Sequence, residues 1–129
     1  MITKINPDKQ KSESLKEMAK ITMQRLDNTD MEKYPSNTLL DYYDIIHKLM
    51  EALTLRDGIK VKGEGAHQEL IDYVAKQRKI DEQMRQFLQQ MRDYRNQISY
   101  EGFMIHKNYI HLNKELIKRI VKSLFEQLE

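Results

Sequence analysis

Arg92, Arg95 and Asn96, with Ser99 one turn further on and Tyr100 beside it, are the side chains in this 129-residue chain whose types and spacing best suit chemistry. An arginine offers a planar, bidentate fork that matches phosphate and keeps its charge at any working pH. Two of them beside an amide and a hydroxyl suit a phosphodiester, with Arg92, Arg95 and Ser99 as phosphate ligands. The placement of Arg95 sharpens this. At about 100° per residue, Met84, Phe87, Leu88, Met91, Tyr94 and Ile98 share one arc of roughly 120°, the stripe of a packed helix. Arg95 projects inside that arc, between Met91 and Leu88. A guanidinium cannot discharge itself, so burying it unpartnered costs several kcal/mol. A carboxylate, a second subunit with trapped water, or an anionic ligand must meet it. Asp41, Asp44 or an acid on the third helix would serve if the role is purely structural.

Other chemistries find less support. The chain has no cysteine, which excludes disulfides, thiolate catalysis and Cys-based zinc sites. Asp44 and His47 have the carboxylate–histidine spacing of a bundle di-metal site, but the residue three before His111 is Asn108, so the repeat fails and no metal is expected. His47/Glu51 and His111/Glu115 are each one turn apart, a common spacing. Gly63 and Gly65 stand two apart without the Lys-Ser/Thr of a phosphate loop, and no nucleophile-elbow motif occurs. No cofactor is implied.

The elements that must position Arg95 read as helices. Asn6-Pro7 suits a cap and first helical position, and Leu15, Met18, Thr22 and Leu26 predict a first helix over about 7–32. After the break at Tyr34-Pro35, the seam Leu39, Tyr43, Ile46, Met50 and Leu53, widened by Tyr42 and Leu49, marks the clearest helix, ending at Asp57-Gly58. His47 falls at its edge. Ile59-Lys60-Val61-Lys62 alternates only briefly and reads as a helix connection. Leu70, Ile71 and Val74 pack a short third helix. Asp81 caps a fourth that Gly102 closes. Asn108 is placed to cap a fifth, with seam Tyr109, Leu112, Leu116, Ile120 and Leu124; Lys118, Arg119 and Lys122 suit its dipole and solvent. Short links predict an all-α, up-and-down bundle of four to five helices forming one domain over 1–129.

Composition agrees. Hydrophobic residues make up 40% and charged residues 33%, and 22 Lys+Arg against 20 Asp+Glu leave a net charge of +2. No global field declares a nucleic-acid or membrane partner. With no apolar span and no signal region, the expectation is a cytoplasmic protein.

Arg95-Asn96-Gln97-Ile98-Ser99-Tyr100, on the penultimate long helix of a small bundle, resembles the Arg-x4–6-His signature of HEPN domains, in which a polar residue commonly follows the arginine. Ser36 through Leu55, with Tyr42-Tyr43, the break at Gly58, and His67-Gln68-Glu69-Leu70-Ile71 resemble that family's earlier helices. The resemblance implies a HEPN-like homodimer whose motif arginines face a shared cleft. It also implies RNA as ligand and metal-independent endoribonuclease activity of the toxin–antitoxin kind, or a non-catalytic role as helical partner of a small nucleotidyltransferase. Arg95 carries over as motif arginine, Asn96 as its polar follower, and Tyr100 stands where the histidine belongs. Tyrosine, with a pKa near 10, is a poor general base at neutral pH, though it can donate a hydrogen bond to phosphate. His106 lies beyond Gly102, where only a turn could return it to the site.

Overall fold

The computed structural model describes all 129 residues. It contains five helices, α1 (Lys9–Asp27), α2 (Pro35–Arg56), α3 (Ala66–Lys76), α4 (Glu82–Glu101) and α5 (Lys107–Gln127), and two short strands, β1 (Ile2–Lys4) and β2 (Ile59–Val61). The bundle is organised around α2. Pro35 supplies a preset φ at its start, and apolar residues then recur so densely that 12 of its 22 residues are buried. A helix covered over so much of its circumference is a central one. Leu39, Tyr42, Ile45, Ile46, Leu49 and Met50 are completely shielded from solvent.

Polar contacts fix the directions of its neighbours. The Ser12 hydroxyl donates to the Ala52 carbonyl at 2.7 Å, and Arg25 pairs with Asp41 at 2.7 Å, so α1 and α2 run antiparallel. The Ile105 amide donates to Ser36 Oγ at 3.0 Å at one end of α2, and Arg56 donates to the Gln127 carbonyl at 2.9 Å at the other. Helices α2 and α5 are therefore parallel. Gln89 donates to the Gln68 carbonyl at 3.2 Å and Arg85 reaches Asp72 at 3.3 Å, making α3 and α4 antiparallel. Strict up-and-down alternation is interrupted between α2 and α3. There the chain turns back through β2, and α3 begins beside the middle of α2 rather than beyond its end.

That return departs from the sequence expectation of a plain helix connection. β2 pairs antiparallel with β1, in the register Ile2↔Val61, Thr3↔Lys60 and Lys4↔Ile59. Gly58 makes the turn with φ +80°, and its carbonyl accepts from the Ile5 amide at 2.8 Å. The pairing also moves the start of α1. Residues 2–4 stay extended, the Asp8 amide donates to the Leu55 carbonyl at 2.9 Å, and Asp8 rather than Asn6 caps the helix by accepting from the Lys11 amide at 3.0 Å. The helix ends at Asp27, short of the expected 32, as the chain turns toward α2.

Two seam residues lie outside the core. Met18 is 50% exposed and Leu112 80% exposed. Each outer helix is packed along one side only, so the rim of its apolar arc remains in solvent. His106, not Asn108, caps α5, its Nδ1 accepting from the Asn108 amide at 3.1 Å. Asp81 caps α4 by accepting from the Met84 amide at 2.8 Å, and Gly102 closes it in the left-handed conformation, as the sequence predicts. No helix is long and apolar enough to cross a membrane.

Candidate functional site

Arg95 is half-buried on the face of α4 that looks toward α2 and α3. It forms no ion pair within the chain. Its Nη1 donates to Asn96 Oδ1 at 3.1 Å and to the Tyr100 hydroxyl at 3.4 Å, and its guanidinium lies over the Tyr100 ring, 5.7 Å from the centroid. Every one of these partners is neutral. Asp41 and Asp44, the carboxylates that could have met it, are taken by Arg25 and Lys48, each at 2.7 Å. Of the three partners required on sequence grounds, an intrachain carboxylate is thus absent.

The guanidinium borders a cavity of about 220 Å³ lined by Leu40, Tyr43, Asp44, His47, His67, Arg95 and Ser99. α2 contributes the first four of these side chains, α3 contributes His67, and α4 contributes Arg95 and Ser99. The wall holds a stacked aromatic column. The His47 and His67 rings lie 4.0 Å apart with planes 17° from parallel, and the Tyr43 ring stacks on His67 at 5.7 Å. His67 Nδ1 and the Tyr43 hydroxyl are hydrogen-bonded at 3.0 Å, while His47 Nδ1 contacts Glu51 Oε1 at 2.9 Å. Tyr43, His47 and Glu51 follow at four-residue steps, so one face of α2 presents all three. A second cavity of about 220 Å³, which includes Glu51, Lys11 and Lys60, lies on the other side of the histidine pair.

The electrostatics of this column follow from its burial and its cations. Desolvation, helped by His47 and Arg95, pulls the His67 imidazole down to about 4, so the ring is neutral at physiological pH. Burial pushes the Tyr43 phenol up to about 12 against the opposing pull of Arg92 and Arg95. Burial also raises the Glu51 carboxyl, but the His47 hydrogen bond and the surrounding cations outweigh it and leave the group below its ordinary value. The site therefore combines a permanent cation, a neutral imidazole, a protonated phenol and the Asp44 carboxylate, itself paired with Lys48, around a small polar space.

The residues singled out from sequence divide accordingly. Arg95 and Ser99 line the cavity. Asn96 and Tyr100 support the guanidinium from outside the lining, with Tyr100 itself 75% exposed. Arg92 is occupied by Gln89 at 3.0 Å and Asp93 at 3.1 Å; its charge is felt at His67 without its joining the wall. His106 stays at the start of α5 and does not fold back. Tyr43, His47 and His67 were not assigned to the site from sequence. The Tyr43–His47–Glu51 repeat on α2 is the signal that could have found two of them; His67 has none, because only the β2 return brings α3 alongside.

Comparisons with protein-family profiles, with curated proteins and with solved structures yield no match to this chain.

Proposed function

We propose that the chain is a HEPN-like protein that binds RNA phosphate at Arg95 and acts as a metal-independent endoribonuclease, with His67 supplying the imidazole that Tyr100 lacks. The observation that carries this reading is a half-buried guanidinium with only neutral partners, bordering the same cavity as an imidazole held neutral. Arg95 and Ser99 would hold the non-bridging oxygens of the scissile phosphate. With Nδ1–H of His67 donating to the Tyr43 oxygen, Nε2 keeps its lone pair; the bound phosphate anion raises the basicity of the ring from its low resting value, and Nε2 takes the proton of the ribose 2′-hydroxyl. That oxygen then bonds to phosphorus, the bond to the 5′-oxygen breaks, and solvent protonates the leaving group, giving a 2′,3′-cyclic phosphate and a 5′-hydroxyl. Tyr100 and Asn96 orient the arginine.

Tyr100, Phe103 and Met104 are exposed around the end of α4 that carries the site, at 75%, 41% and 78%. This apolar rim supports a homodimer that closes the cleft, and it equally supports the second reading, a non-catalytic module whose partner is a small nucleotidyltransferase. One experiment separates the two. Labelled single-stranded and structured RNA is incubated in EDTA with wild type, Arg95→Ala and His67→Gln. Cleavage to cyclic-phosphate ends, abolished in Arg95→Ala and slowed at least about 100-fold in His67→Gln, supports the enzyme. Arg95-dependent binding without cleavage removes the enzyme and leaves the module, whose own test is co-purification with a nucleotidyltransferase; RNA binding equal in all three proteins refutes the RNA reading.

A further inference from the structure

A second groove runs between α1 and α5, with a volume of about 380 Å³ and no residue in common with the Arg95 cavity. Lys16 and Lys20 line it from α1, and Lys118 and Lys122 from α5. Each pair is one helical turn apart, so the two rows run along the groove rather than across it. Between them lies an apolar floor of Met23, Val121 and Phe125. Lys16 is tied to the Leu128 carbonyl at 3.5 Å and to Glu13 at 4.0 Å. Lys20, Lys118 and Lys122 are exposed and form no ion pair in the chain. Glu129 is the one acidic residue that lines the groove.

We propose that this groove is a docking site for an acidic amphipathic helix of a partner protein. The complement of two cationic rows flanking an apolar seam is a helix with an apolar stripe bordered by carboxylates at four-residue spacing. Charge complementarity selects the sign of the partner, and the floor selects its form. A single-stranded nucleic acid would need successive aromatic platforms for its bases. Phe125 is the one aromatic here, and Met23 and Val121 give aliphatic surface suited to leucine-like side chains. The proposal is independent of the function assigned to Arg95.

The test uses the full chain, isotope-labelled, and a fluorescent 18-residue designed peptide with a leucine stripe flanked by glutamates. A leucine-to-serine version of the peptide and a 12-nucleotide oligouridylate serve as competitors. Saturable binding, with amide shifts centred on Lys20, Val121, Lys122 and Phe125, is expected. Affinity should fall at least about tenfold in the Lys118→Glu/Lys122→Glu protein and for the serine peptide. Both substitutions are at exposed positions, and circular dichroism checks that the variant is folded. Equal binding of the serine peptide, tighter binding of the oligouridylate in the groove, shifts centred elsewhere, or no saturable binding would each overturn the proposal.

Discussion

The neutral state of His67 makes a quantitative prediction about stability. In the unfolded chain the imidazole titrates near 6.5, whereas the folded site holds it at about 4. The unfolded chain therefore binds a proton that the native protein refuses, and stability rises with pH across that interval. The contribution is complete above the unfolded value, and it is lost as pH falls from about 6.5 toward 4. At about 1.4 kcal/mol for each tenfold change in proton affinity, the displacement corresponds to roughly 3 kcal/mol. The residue is partly exposed, and screening reduces this to roughly 1–2 kcal/mol. The perturbation is His67→Gln, which keeps a polar side chain near Tyr43 but cannot titrate. Urea unfolding of both proteins at pH 7.5, 6.5, 5.5 and 4.5 is the assay. Carboxylates titrating in both proteins cancel in the difference. The wild type should lose about 1–2 kcal/mol more than the variant between the first and last pH, most of it below pH 6.5. Parallel stability curves would refute the argument that burial keeps this ring uncharged.

Two further substitutions test the frame around the site. Gly58→Ala places a Cβ 2.8 Å from the Ile5 carbonyl oxygen at a residue with φ +80°, so it should cost more than about 1 kcal/mol and lower the Tm by several degrees while helix content persists. Tyr109 stacks on Phe87 and meets Tyr94 edge-on, but its buried hydroxyl has no hydrogen-bond partner. Tyr109→Phe should therefore be neutral or stabilising by up to about 1 kcal/mol in chemical denaturation; a loss of that size would contradict the unpartnered hydroxyl.

The parts of this molecule that could be read from sequence are those whose causes are local. The seam of α2, the Asp81 cap and the Gly102 stop depend on residues within a turn or two of one another, and they stand where periodicity and capping chemistry put them. β1 and β2 pair across most of the first half of the chain, and neither three-residue strand carries enough alternation to announce itself. The shift from Asn6 to Asp8 as the cap of α1 follows from that pairing, so it was equally hidden. At the site, the helical wheel exposed Arg95 as a charge in need of a partner. It could not reveal that the nearest candidates, Asp41 and Asp44, were already taken by Arg25 and Lys48. Nor could it reveal that Tyr43, His47 and His67 would gather opposite, since α3 meets α2 only through tertiary packing.

The size of the space beside Arg95 bears on selectivity. At about 220 Å³ it is smaller than the roughly 300–1,000 Å³ of ordinary small-molecule pockets. A tetrahedral anion and its immediate substituents are of the scale that such a space holds. On the proposed reading, an RNA held there would be gripped by a feature that every nucleotide shares. Any discrimination between one RNA sequence and another would then arise on the open surfaces of α2 and α4, or on whatever covers Tyr100, Phe103 and Met104.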